Sequence, residues 1–132
     1  IPIGLGAATA ADDRMPVIFC GDAGLLMTVH ALETAARYDA PVVIVAMNDG
    51  ALGSEYQQLK LSQEYADVAR IGTPDLAALA DELGVEGHAV SAVDDLEAVG
   101  DALDADRGGP LLLECHVDPD VSHRAYYAMT DS

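Results

Sequence analysis

The sequence predicts an α/β fold, a three-layer sandwich in which helices flank a mainly parallel sheet. Three observations carry that prediction. Residues 17–20 and 42–47 are continuously apolar rather than alternating, as strands covered on both faces are. Between them the apolar period becomes helical, with Leu25, Val29, Leu32 and Ala36 recurring on one stripe. Acidic and amide side chains, Asp22 and Asn48-Asp49, follow the two apolar runs directly. The carboxyl ends of neighbouring parallel strands are where such sheets bind ligands.

Taken in order, residues 4–11 are Ala-rich and read as a helix. Asp12-Asp13-Arg14-Met15-Pro16 ends it, since Pro16 disfavours helix at Met15. The strand at 17–20 and the helix carrying Leu25 to Ala36 follow, with Glu33 and Arg37 as an i,i+4 pair. Asp39-Ala40-Pro41 stops that helix, and residues 42–47 form a second strand rich in β-branched side chains. Residues 54–70 read as a short helix and an irregular loop. Thr73-Pro74-Asp75 reads as a helix start, with Thr73 as N-cap, Pro74 in the first position and an acid in the first turn. Leu76, Leu79, Ala80 and Leu83 form its stripe, and Gly84 fits the C-terminal cap. A strand at 85–90, a helix at 94–105 with Leu96, Val99 and Leu103 inward, and a strand at 111–117 complete the pattern. Residues 118–132, with Tyr126-Tyr127, read as a tail that packs on a partner or frays.

The 132 residues suit one domain with a real core, and 51% are hydrophobic. The longest apolar runs are too short to span a bilayer. No basic start with an apolar stretch marks a signal peptide, so the expected location is cytoplasmic. The absence of an initiator Met at Ile1 reads as a fragment or a trimmed product. Asp plus Glu number 23 against 6 Lys plus Arg, for a net charge of −17. So acidic a surface repels phosphate backbones and anionic lipid, which excludes nucleic-acid and membrane-surface roles. Adaptation to high salt and a GC-rich genome both account for the acid excess, and they differ in whether stability rises steeply with molar KCl. Cys20 and Cys115 form no motif and read as buried free thiols.

In a parallel crossover, Asp22 and Asp49 fall just past the ends of adjacent strands. Two carboxylates there repel unless a proton or a cation joins them. Hard oxygen ligands of this kind suit Mg2+ or Ca2+, and Gly50 lets the backbone turn so that the Ala51 carbonyl becomes a third ligand. Ala23-Gly24 begins a helix whose free N–H groups favour an anion such as a diphosphate. Each element alone has another reading: an Asp N-cap at the first strand end, and a simple Asn-Asp-Gly turn at the second.

Together, these segments resemble the diphosphate-binding domain of thiamine diphosphate-dependent enzymes. That family carries Gly-Asp-Gly and an Asn-Asn pair; here stand Gly21-Asp22-Ala23 and Asn48-Asp49. Pro2-Ile3-Gly4-Leu5-Gly6-Ala7, Asp13-Arg14-Met15-Pro16-Val17 and the run from Leu26 to Ala35 are similar to its lead-in and first helix. The likeness is close over residues 1–60 and holds in element order over 61–117. It implies the thiamine diphosphate-binding fold, lacking its first elements, over residues 1–117 with 118–132 as a tail. It implies Mg2+ held by Asp22, Asp49 and the Ala51 carbonyl, with Leu52-Gly53 against the diphosphate. Gly21, Ala23 and Gly24 border it, and Asn48 shapes the loop. Ala23 for Gly and Asp49 for Asn are departures. Glu55, six residues after Asp49, matches in the decarboxylase branch an acid that manages protons at the substrate; a solvated loop glutamate is its other reading. His30 reads as a helix-face residue near the site.

The resemblance further implies an enzyme acting on 2-oxo acids, by acetolactate synthase-like carboligation or by decarboxylation, as a transferase or lyase. It implies a homo-oligomer in which a pyrimidine-binding domain, on another subunit or in a missing segment, supplies the cofactor-activating glutamate. The 132 residues alone are then expected to bind the cofactor weakly, if at all, and to turn nothing over. Two other classes stay open here: a non-catalytic α/β module for a metal or phosphate ligand, and a response-regulator-like signalling domain, for which Lys60 is poorly placed.

Overall fold

A computed structural model describes residues 1–10, 14–104 and 108–121. Helix α1 (Pro2–Ala10) precedes strand β1 (Val17–Gly21), then come α2 (Asp22–Met27), α3 (His30–Arg37) and β2 (Val43–Asn48). Helix α4 (Gly53–Leu61) and a short 3-10 turn (Ala66–Ala69) lead to α5 (Leu76–Glu82), β3 (Glu86–Val90), α6 (Asp95–Asp104) and β4 (Leu111–His116). Among the described residues the four strands are parallel, in the order β1-β2-β4-β3. The predicted parallel α/β architecture is therefore present. Three predicted features lie outside the described residues: the helix end at residues 11–13, residue 105 of the last helix, and the Tyr126-Tyr127 pair.

The side-chain alternation of each strand sorts the core into two layers. Ile44, Ala46 and Leu112 face Leu25, Leu32 and Ala35 of α2 and α3, and Leu76 and Ala80 of α5. Val43, Leu111 and Leu113 face the opposite way, toward Val99 and Ala102 of α6. On that second face, Val17 pairs in register with Val43 and Phe19 with Val45. Yet Val17 is 54% and Phe19 72% exposed. The expectation that residues 17–20 are covered on both sides is corrected: among the described residues, only their Ile18 and Cys20 side packs on the core. Leu96 and Leu103 are likewise exposed rather than inward; among the described side chains of α6, Val99 and Ala102 pack on the sheet.

The predicted helix from Leu25 to Ala36 is two helices. Thr28 donates its hydroxyl back to the carbonyl of Gly24, and Ala31 and Leu32 donate to carbonyls only three residues back, which breaks the α-helical ladder. The start of α5 is also displaced. Asp75, not Thr73, is the N-cap, accepting from Ala78 N at 2.8 Å, and the first turn carries no acid. Thr73 is turned to the site instead.

At its other end, α5 closes as expected at Gly84, whose φ is +82°. Val85 N reaches the Ala80 carbonyl at 2.9 Å and Gly84 N the Asp81 carbonyl at 3.0 Å, a Schellman cap. Gly84→Ala puts a β-carbon into left-handed backbone, so urea unfolding is expected to show a loss of about 1 kcal/mol. Both cysteines are free, and both are half-buried rather than fully buried. No helix among the described residues is long and apolar enough to cross a membrane. The first residues after β4 lie on α4: Gln57 donates to the Pro119 carbonyl, and Asp120 takes Lys60 at 2.7 Å and the Tyr56 hydroxyl at 3.2 Å.

Candidate functional site

The chain leaves β1 through Gly21 in extended conformation and enters α2 at Asp22. The Asp22 side chain is only 2% exposed. Its Oδ1 accepts Ala23 N at 2.8 Å, and its Oδ2 reaches across to accept Gly50 N at 3.0 Å. The loops following β1 and β2 thus meet at one carboxylate, as the sequence led us to expect. Burial raises the Asp22 carboxyl above its ordinary value of 3.8; the Asp49 charge adds to this, and the hydrogen bonds from Ala23 and Gly50 oppose it.

Asp49 turns back on its own loop, where Oδ1 accepts Ala51 N at 2.9 Å. Its other oxygen occupies the space that a β-carbon on Gly53 would fill, so a side chain there would push the carboxylate away from the start of α4. Gly50 has φ +69° and makes the turn possible. Downstream, Leu52 N donates to the Ala69 carbonyl at 2.8 Å and Ile71 N to the Gly50 carbonyl at 3.0 Å. These bonds flank an antiparallel bridge between Ala51 and Arg70 that fixes the buried Ala51.

Asn48 is buried, and both ends of its side-chain amide are used. Oδ1 accepts Gly50 N at 3.1 Å and the Thr73 hydroxyl at 2.8 Å; Nδ2 donates to Glu114 Oε1 at 2.6 Å. The expectation that Asn48 shapes the loop has this physical content. Glu114 and Thr73 were not anticipated. Glu114 is 1% exposed and accepts Leu76 N and Ala77 N, both at 2.9 Å, through Oε2. Its signal in the sequence was a lone acid inside Leu111-Leu112-Leu113-Glu114-Cys115. An open cavity of about 390 Å3 borders this network, lined by Asn48, Gly50, Thr73, Glu114 and His116 among others.

Not all the predicted residues are drawn in. Glu55 is exposed in the first turn of α4 and lines a separate depression with Gln58, Leu59 and Ser62. His30 is exposed at the start of α3. Lys60, which a phosphoryl-accepting domain would need near Asp22, pairs with Asp120 instead. Leu52 remains 38% exposed and Met27 75% exposed. Among the described residues no three acid, His or Cys side chains converge as a metal cluster. A cation bound here would take carboxylate oxygens from Asp22 and Asp49 and complete its shell from backbone, water and ligand. The fit is electrostatic: the Asp49 charge bears on the buried Asp22 carboxyl, and backbone N–H groups of the second loop donate to both acids.

Comparison with known proteins gives concordant matches. Residues 1–115 match the family described as "Thiamine pyrophosphate enzyme, C-terminal TPP binding domain". The chain is 30% identical over 120 residues to the acetolactate synthase isozyme 2 large subunit of Escherichia coli, covering 89% of this chain and 22% of that protein. It is 33% identical over 119 residues to a putative acetolactate synthase large subunit of Mycobacterium tuberculosis, covering 89% and 21%. Among solved structures, the thiamine diphosphate-dependent 4-hydroxybenzoylformate decarboxylase of Rhodococcus jostii superposes with a TM-score of 0.81 at 32% identity, over 92% of this chain and 23% of that one. The chain therefore spans about a fifth of the length of these relatives.

Proposed function

The chain belongs to the C-terminal cofactor-binding domain family of thiamine pyrophosphate (thiamine diphosphate) enzymes, and from that premise we propose that Asp22, Asp49 and the Ala51 carbonyl would hold Mg2+ and, with it, the cofactor diphosphate. One observation carries the reading: Gly50 N donates to Asp22 Oδ2, so the two loops that would share a cation are already in contact. The pressure of Asp49 on the buried Asp22 carboxyl supports it, because a divalent cation relieves that repulsion. Gly53, at the first position of α4, lets the Asp49 carboxylate lie against the helix start, and the positive end of that helix dipole favours an anion beside Leu52.

When bound, thiamine diphosphate supplies carbanion chemistry on 2-oxo acids. The residues of this chain orient its diphosphate, hold the metal and exclude water beneath it. The relatives' names favour acetolactate synthase-like carboligation or decarboxylation of a 2-oxo acid, hence a transferase or a lyase. Exposed Leu52 and Met27 beside the site would be covered by a pyrimidine-binding domain, in a homo-oligomer. Glu55 would reach a substrate only with that domain in place. By itself, then, the chain holds the cofactor weakly and decarboxylates no pyruvate.

Titration of the chain with Mg2+ and thiamine diphosphate, followed through the amide resonances of Ala23, Gly50 and Ala51, tests the site. Those signals are expected to shift with both ligands present, and thiamine monophosphate is expected to bind far more weakly. Equal response to the two thiamine esters would refute the diphosphate assignment. In the same titration, Asp49→Asn keeps an oxygen ligand, so affinity is expected to stay within about tenfold, or ~1.4 kcal/mol.

A further inference from the structure

We propose that Glu114 is a positioning residue for the cofactor loop, acting through Asn48 to fix the Gly50 amide against Asp22. The proposal rests on the metal and diphosphate reading of residues 48–53 and adds to it a residue from a different strand. A carboxylate buried in the middle of an apolar strand is costly unless its oxygens are fully used. Capping the first turn of α5 accounts for Oε2 alone, through Leu76 N and Ala77 N. Oε1 is directed to the Nδ2 end of Asn48 instead.

That bond removes an ambiguity. A side-chain amide has a donor end and an acceptor end, and rotation by half a turn exchanges them. Glu114 Oε1 only accepts and Gly50 N only donates, so one orientation satisfies both. Asn48 Oδ1 is thereby held toward Gly50 N, which is shared with Asp22 Oδ2, and toward the Thr73 hydroxyl. The register sets this up: Asn48 ends β2 beside His116 of β4, two residues beyond Glu114. The start of α5 and the turn between Asp22 and Asp49 are thus tied to one carboxylate.

The test is a cycle of three variants of this chain, read by amide hydrogen exchange. In E114Q the new NH2 group faces the Asn48 NH2 group, and Asn48 must turn its donor toward Gly50 N. Gly50 is expected to exchange roughly tenfold faster, the loss of one hydrogen bond. In N48D two buried carboxylates face each other, and the effect is expected to be larger. In the double variant E114Q/N48D a donor again faces an acceptor between the two strands. The introduced amide on β4 donates to the introduced carboxylate on β2, and that carboxylate also accepts Gly50 N and the Thr73 hydroxyl. Gly50 exchange and Mg2+-dependent thiamine diphosphate affinity are expected to return to within about threefold of wild type, a non-additivity that only coupled groups show.

A cap for α5 and nothing more predicts the opposite: faster exchange at Leu76 and Ala77 in E114Q with Gly50 unmoved, and no recovery in the double variant. Either result overturns the proposal. Should E114Q alone not fold, folding of E114Q/N48D supports the coupling and its failure to fold sinks it. If wild type binds neither Mg2+ nor the cofactor, the site reading fails, and the metal-free exchange data still decide whether Glu114 sets the turn.

Discussion

Asp22→Ala is expected to remove Mg2+-dependent binding of thiamine diphosphate, a loss of at least about 100-fold, or ~3 kcal/mol. The residue supplies the one carboxylate that both loops touch. The fold should survive, because Gly50 N keeps Asn48 as an acceptor. The same variant tests the electrostatics. Burial lifts the Asp22 carboxyl above 3.8, so the folded chain holds that proton more tightly than the unfolded chain does. The resulting stability is full below the ordinary value and is lost as pH rises through the raised one. The thermal midpoint of the metal-free wild type should therefore lose this contribution across that window, and Asp22→Ala should not. On the proposed reading Mg2+ would compete with the proton, so its affinity should climb over the same range. Retained cofactor binding in Asp22→Ala would remove this residue from the metal shell.

The second large effect lies away from the site. Helix α5 packs so closely on β3 that a β-carbon at Gly87 would overlap the Ala77 carbonyl and main chain. Backbone cannot swing aside as a side chain can, so Gly87→Ala is expected to cost about 3 kcal/mol in urea unfolding. Ala77 N is one of the two amides that Glu114 holds, so the displaced helix should also pull on the Asn48 network. A variant as stable as wild type would mean that α5 sits further from the sheet than described.

Elements whose evidence is local were legible in the sequence. The four strands, the cap at Gly84 and the convergence of Asp22 with the Asn48–Gly50 turn follow from apolar runs, glycine and the crossover rule. What was not legible depends on which strand neighbours which. Nothing near Glu114 says that β4 lies beside β2, so its link to Asn48 stays hidden until the register is known. Thr73 and Asp75 are both good cap residues; a buried amide elsewhere in the chain claimed the first and left the second to the helix. The stripe of Leu96 and Leu103 has the right period, but α6 meets the sheet through Val99 and Ala102, and both leucines stay exposed. For Glu55, an offset of six residues from Asp49 fixes a distance along the chain, and the helix start then carries the side chain outward.

Among the described residues, the scarcity of positive charge around these strand ends has a kinetic meaning. Lys60 and Arg70 are both gathered over the Tyr56 ring, Lys60 bound to Asp120 and Arg70 to the tyrosine hydroxyl. Asp22, Asp49 and Glu114 therefore present a negative field to any approaching diphosphate, in a chain already at −17. Arrival is then ordered. On the proposed reading, a cation would dock first and reverse the local sign, the anion would follow or come already chelated, and free magnesium would set how fast the site fills.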